Sequence, residues 1–174
     1  EQRTLLSAGP VDDYPNSADT AQLISLTPAE SAHPGVANLA GNLEEALDHD
    51  VFEFVATVNG FVSVAVGADT ESSLDSYVTI SHRNPVSGAL DDVTSDDDSG
   101  PDRDSLAQFE VQVGDSYVVD VSGYGDSIGQ YRLDITTGPV LLDDYPDSPD
   151  TAQVIELSRT ESDAPGAASL SGNV

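Results

Sequence analysis

The stretch DHDVFEFVATVNGFVSVAV, residues 48–66, decides how this chain is read. Phe52, Phe54, Ala56 and Val58 recur at every second position, and so do Val62, Val64 and Val66. A period of two sends alternate side chains to opposite faces of an extended chain, so each run buries one face only. Asn59-Gly60, between the runs, has the composition of a tight hairpin turn. These residues therefore read as two antiparallel strands with their apolar faces on one side.

The pattern continues outward. SYVTIS turns Val78 and Ile80 inward and leaves Tyr77 and Thr79 outside. QFEVQV sets Phe109, Val111 and Val113 on one side, and Gly114-Asp115 then turns the chain. SYVVDVSG does the same with Tyr117, Val119 and Val121, and YRLDIT with Tyr131, Leu133 and Ile135. Strands with one apolar and one polar face, with no long helical period between them, predict an all-β antiparallel sandwich. The opening residues 12–50 are less regular. There, Asp19-Thr20-Ala21-Gln22 reads as one helical turn capped by Asp19, and ANLAGNL, around Leu39 and Leu43, as a short edge strand.

DDYPNSADTAQLISL, beginning at Asp12, returns as DDYPDSPDTAQVIEL at Asp143. Residues 12–43 and 143–174 are identical at 19 of 32 positions without a gap, which marks a repeat array. The unit of 131 residues suits a single domain with its own core. The chain reads as one complete repeat plus the start of the next, from a longer polypeptide. Residues 1–11, EQRTLLSAGPV, echo QYRLDITTGPV and read as the tail of a preceding repeat; 12–137 form the sandwich, 138–142 a linker, and 143–174 a truncated opening segment. Neighbouring repeats are thus expected partners. The truncated segment lacks the strands it would cover, so it is expected to dock onto a neighbouring chain.

Acidic residues number 32 against five arginines and no lysine, for a net charge of −27. Such a chain repels nucleic acid and anionic membrane surfaces. No apolar run approaches the roughly 18–20 residues that span a bilayer, so membrane insertion is not expected. Cysteine is absent, and disulfides play no part. Two readings of the acidity stand: adaptation to a salty medium, and loading with calcium, whose hard ion takes clustered carboxylate oxygens. An acidic disordered tail fits poorly with the apolar alternation.

The residues also carry a family pattern. DHDVFEFVATVNGFVSVAV, then LDSYVTI, then SDDDSG and DSLAQFEV, then GDSYVVDVSGYGDSIGQYRLDI, resembles the bacterial pre-peptidase C-terminal domain. That family reads D-x-D-x-F-x-F, L-D-x-x-L-x-L, N-D-D-S-G and a closing SGYG-x-S-x-G-x-Y-x-L, here Ser122-Gly123-Tyr124-Gly125 through Gly129, Tyr131 and Leu133. The resemblance covers residues 12–137. It implies a jelly-roll-like β-sandwich of about eight strands, non-catalytic, found in secreted bacterial proteins beside peptidase or other catalytic domains and as tandem repeats. It also implies a fold similar to the collagen-binding domains of clostridial collagenases, whose N-terminal segment and first strand hold calcium. On that basis Asp48 and Asp50 match the paired carboxylates, Asn16 an asparagine that follows proline, and Asp12 an acid; Tyr14 and Ser17 depart from further acidic ligands.

The first candidate calcium site is accordingly Asp12, Asp13, Asn16 and Asp19 with Asp48 and Asp50. The plainer reading makes Asp12, Asn16 and Asp19 turn and cap residues and leaves Asp48 and Asp50 solvated. A weaker candidate is Asp96 and Asp98 in SDDDSGPDRD; Ala107 stands where an EF-hand carries its final acid, so a solvated loop with Arg103 neutralising a neighbour is the alternative. Catalysis finds little support. His33, His49 and His82 show no metal spacing, and alternation sends His49 away from Asp48 and Asp50. Tyr77 and Tyr124 are candidate ligand-binding aromatics, against a reading in which Tyr124 packs on the sandwich edge. The function expected is a non-catalytic, extracellular tandem-repeat module, a calcium-stabilised spacer or adhesion unit of a secreted or surface protein. The alternative is an accessory domain that binds a protein or glycan polymer for an attached peptidase or other hydrolase.

Overall fold

A computed structural model of the chain describes residues 11–27 and 35–139. The expectations for residues 1–10, for His33 and for residues 140–174, the docking segment included, lie outside the described residues. Within them run nine strands: β1 (Gln22–Ile24), β2 (Gly35–Leu43), β3 (His49–Val55), β4 (Gly60–Ala68), β5 (Ser76–Arg83), β6 (Leu90–Asp96), β7 (Ser105–Val111), β8 (Ser116–Gly123) and β9 (Gly129–Pro139). β9 carries the sheet two residues into the span expected as linker.

Two sheets form, of five strands in the order β1-β3-β8-β5-β6 and of four in the order β2-β9-β4-β7. Every pairing is antiparallel except β1 with β3, where Gln22 to Ile24 align in parallel with Phe52 to Phe54. Only β5 and β6 are consecutive strands in one sheet; all other connections cross from sheet to sheet. This is the antiparallel sandwich that the alternation implied, in the jelly-roll-like form that the resemblance implied.

The core is made by the inner faces that a period of two selects. Phe52 and Phe54, Val62, Val64 and Val66, Val78 and Ile80, Val119 and Val121, and Tyr131, Leu133 and Ile135 are all fully buried. Tyr117 stacks at 5.6 Å on Phe54 and meets Phe109 at 5.4 Å, joining the two sheets through aromatic contact. Val51 and Val118 are buried as well, although alternation puts them on the outer face of the five-stranded sheet. That face carries the Glu53–Arg83 pair, and Glu53 stands opposite Val118 in the ladder.

Several local expectations are corrected. Asn59-Gly60 makes no hairpin, because β3 already pairs with β1 on one edge and β8 on the other and has no ladder to offer β4. The chain crosses to the other sheet there, and Asn59 Oδ1 accepts the Val113 N–H at 2.8 Å, clamping this crossover to the one from β7 to β8. Val113 lies beyond the end of β7 and is 57% exposed instead of facing the core. The helical turn at Asp19 is a single reverse turn started by Ser17, whose carbonyl accepts the Thr20 N–H at 3.0 Å. Gln22 then enters β1, drawn into the open edge of β3. The ANLAGNL strand is an edge strand, but nine residues long. β6, rich in aspartate, showed no apolar alternation to find, since as an edge strand it buries little.

Candidate metal centre

At one end of the sandwich the residues before β1, from Asp12 on and called the opening segment below, lie against the end of β2 and the start of β3. Its attachments are specific. Asp13 Oδ2 accepts the Asn42 N–H at 3.1 Å, and the Tyr14 hydroxyl donates to the Ala40 carbonyl at 3.1 Å while its ring lies 4.7 Å from Phe52. The Pro15 carbonyl accepts the Val51 N–H at 2.9 Å, and Asn16 Oδ1 accepts the His49 N–H at 3.2 Å. Tyr14, which stands where the resemblance implied an acidic ligand, therefore serves as an anchor.

The segment brings Asp12 and Asp13 to a turn that ends in buried carboxylates. Asp48 fixes that turn by accepting the N–H groups of Glu44 and His49, each at 2.9 Å. Leu47 takes the left-handed backbone, φ 69°, that closes the loop. Alternation then turns Asp50 inward and His49 outward, where His49 Nδ1 meets Asp120 Oδ1 at 2.8 Å.

Carboxylate oxygens of Asp12, Asp48 and Asp50 all lie within 4.8 Å of one another, and so do those of Asp12, Asp13 and Glu44. Asp12 belongs to both groups, so five carboxylates gather in one place. Among the described residues no arginine or histidine pairs with any of them within 4.0 Å. Asp50 is completely buried: Tyr131 donates its hydroxyl to Oδ2 at 2.6 Å, while Oδ1 has no hydrogen-bond partner. Glu44 Oε2 is likewise buried without a partner.

The electrostatics follow. Burial pushes the Asp50 carboxyl up to about 8, against the Tyr131 hydrogen bond and with the charges of Asp13, Asp48 and Glu44 adding to the rise. Burial, with neighbouring acids, also raises Glu44 and Asp13. The Tyr131 hydroxyl is raised by burial and by the carboxylate it serves, so it stays a donor.

Of the other candidate ligands, Asn16 stands beside the cluster. Its Nδ2 donates to Asp12 Oδ2 at 3.3 Å, and its amide oxygen is engaged by His49, so it braces Asp12. Asp19 is exposed on the reverse turn, outside the two carboxylate groups. Asp96 and Asp98 do not come together with a third ligand among the described residues. Asp96 instead ties its loop by accepting the N–H groups of Ser99 and Leu106 at 3.0 and 2.7 Å. Burial would raise its carboxyl, but these donors hold it below the ordinary value. Arg103 pairs with Asp75 at 3.6 Å, not with a loop neighbour. Glu44 and Tyr131 were missed: Glu44 follows an apolar strand with no motif about it, and Tyr131 read as a core residue only.

Tyr77 lines a cavity of 260 Å³ on the outer face of the five-stranded sheet with Thr79 and the β6 residues 92–95. Tyr124, in the loop between β8 and β9, is 59% exposed. The bend around it needs its glycines: Gly125 has φ +64°, and a Cβ on Gly123 would collide with the Ser127 carbonyl.

No family model and no curated protein matches the sequence. Among solved structures the chain is similar to the pre-peptidase C-terminal domain of a collagenase from Bacillus anthracis, with a TM-score of 0.50 and 16% identity over 71% of this chain and 99% of that one. It is also similar to a mitogen derived from Yersinia pseudotuberculosis, with a TM-score of 0.46 and 16% identity over 66% and 92% of the two chains, too slight a likeness to carry an argument. The first likeness bears out the fold that the sequence resemblance implied. At 16% identity it speaks for the fold alone. No helix among the described residues is long and apolar enough to cross a membrane.

Proposed function

We propose that the chain is a non-catalytic, extracellular tandem-repeat module, a spacer or adhesion unit of a large secreted or surface protein, whose opening segment is fastened to the sandwich by calcium. The observation that carries the calcium reading is Asp50 Oδ1, buried without a hydrogen-bond partner beside the carboxylates of Asp12 and Asp48. An unpaired buried carboxylate oxygen costs free energy that a cation removes. Calcium takes about six to eight oxygens in flexible geometry, which five carboxylates with backbone carbonyls and water supply; magnesium keeps its water and needs only one or two. Asp12 and Asp13 come from the opening segment and Glu44, Asp48 and Asp50 from the sandwich, so the ion would join the two.

Thermal melting of the whole chain tests this, in calcium and in EDTA at one fixed ionic strength. At about 100 times the dissociation constant, calcium is expected to stabilise the fold by about 2.7 kcal/mol. A midpoint equal in calcium and EDTA overturns the reading. Fixed ionic strength is needed because screening alone stabilises a chain of charge −27.

The exposed ring of Tyr124 and the cavity beside Tyr77 favour a second role, in which the module holds a protein or glycan polymer for an attached hydrolase. Co-sedimentation with insoluble polymers, lost in Tyr77→Ala and Tyr124→Ala, would support it, and no retention on any polymer would remove it.

A further inference from the structure

A second concavity, distinct from the carboxylate cluster, lies on the outer face of the four-stranded sheet. It has a volume of 350 Å³, within the range of small-ligand sites. Ala65 and Gly67 of β4 line it, with Leu106 of β7 beside them; Ala65 pairs with Leu106 on one side and with Asp134 of β9 on the other. Small residues on the central strand, between longer ones on its neighbours, make the hollow.

Three carboxylates line it, Asp69, Asp104 and Asp134. Each is fixed through one oxygen: Asp104 Oδ1 accepts the Ala68 N–H at 3.0 Å, Asp69 Oδ1 the Thr70 N–H at 2.8 Å, and Asp134 Oδ1 the Asn38 amide. The other oxygen of each accepts no hydrogen bond among the described residues. A Cβ on Gly67 would stand 2.9 Å from Asp104 Oδ2, so a larger residue here would displace that carboxylate. The hollow thus holds preformed acceptors, the arrangement that binds without reorganisation.

Its charge selects the ligand. Three carboxylates against Arg132 leave a net negative lining on a chain of charge −27, so anions are repelled and cations drawn in. A metal ion fits poorly, because these three do not converge; the carboxylates that meet in threes within 4.8 Å among the described residues are those of the other cluster. An extended organic cation fits better, with methylenes along Ala65 and Leu106 and a planar head whose fork of donors matches the free oxygen and plane of a carboxylate. Arg132, exposed and without a carboxylate within 4.0 Å among the described residues, is left to donate to backbone carbonyls of the bound segment.

We propose that this groove over Ala65 and Gly67 binds an arginine side chain of a protein partner. The probe is Nα-acetyl-arginine amide, titrated into the calcium-loaded chain and into the EDTA-treated chain at low salt and followed by amide chemical shifts. Saturable shifts confined to β4, β7 and β9 are expected in both states, so the outcome does not depend on the calcium reading. The citrulline amide, equal in shape but uncharged, should bind roughly tenfold more weakly, as should the lysine amide, which lacks the fork. Ala65→Leu, which fills the hollow, should abolish the shifts with the melting temperature kept, and Asp134→Asn should weaken binding should the leucine disturb the fold. Equal binding of the citrulline amide, shifts spread without saturation over the acidic surface, or binding untouched by both substitutions overturns the proposal.

Discussion

The Tyr131 hydroxyl donates to Asp50 Oδ2 at 2.6 Å, a bond from the start of β9 in one sheet to the start of β3 in the other. It satisfies one oxygen of a fully buried carboxylate and leaves the second to the acidic cluster. The bond is thus both a tie between the sheets and the back wall of the candidate ion site. Removing the hydroxyl tests both roles. Tyr131→Phe keeps the ring and leaves Asp50 with no donor, which is expected to cost about 1–3 kcal/mol in denaturant unfolding in EDTA. Calcium should recover part of that loss, because the ion takes the place of the lost donor at the carboxylate. A variant as stable as the parent in EDTA would show that the bond contributes nothing.

Gly41 lies against the same phenol. A Cβ there would collide with the Tyr131 ring and hydroxyl. Gly41→Ala should therefore push Tyr131 off Asp50 and destabilise by about 1–3 kcal/mol, as overpacking does. In the double variant with Tyr131→Phe the cost of the alanine should shrink, and a double-mutant cycle of unfolding energies measures the difference.

Protons compete for this place. The Asp50 carboxyl is raised from 3.8 to about 8 in the fold, burial being the largest cause. Folded Asp50 therefore keeps a proton that the unfolded chain has lost between those values. Its contribution to stability is complete below about pH 4 and disappears as pH rises through about 8. In EDTA the melting temperature of the parent should fall more steeply from pH 5 to pH 8 than that of Asp50→Asn, which does not titrate. Calcium must displace the proton, so its affinity should climb over the same interval. Parallel pH profiles for the two proteins would contradict the assignment.

Arg83 holds the opening segment from the other side. Its Nε and Nη2 each meet the Glu53 carboxylate at 3.0 Å, and Nη2 also donates to the Ala18 carbonyl at 2.7 Å. Burial would raise Glu53, but the bonds from Arg83 and Ser116 and the arginine's charge hold it below its ordinary value. Arg83→Met removes the partner of a largely buried carboxylate and should destabilise by about 1–3 kcal/mol. It should also speed proteolysis near Ala18, read by limited digestion. Replacing Glu53 by Gln together with Arg83→Met should recover part of the stability, because no unpaired charge is then left.

The inner faces of both sheets were legible because a strand buries every second residue, and Phe52, Val64, Val119 and Leu133 needed only that period to be placed. β6 was illegible for the converse reason: an exposed edge strand made of LDDVTSD has no apolar face to reveal it. Asn59-Gly60 carried a true turn signal, yet local chemistry does not say which sheet the next strand joins. That choice falls to the edges already occupied, here both edges of β3.

The candidate site divides in the same way. An antiparallel sandwich, the return of the DDYP segment, and the concentration of carboxylates at Asp12-Asp13 and at Asp48 and Asp50 could all be read along the chain, because periodicity and composition are properties of neighbours in sequence. Folding in three dimensions is what makes these carboxylates meet, adds Glu44 to them, and brings Tyr131 to Asp50 from 81 residues away, while Asp96 and Asp98 stay outside the cluster. Burial and the approach of distant groups set the protonation of a carboxylate and its need for a cation. Both exist only once the two sheets have closed on each other.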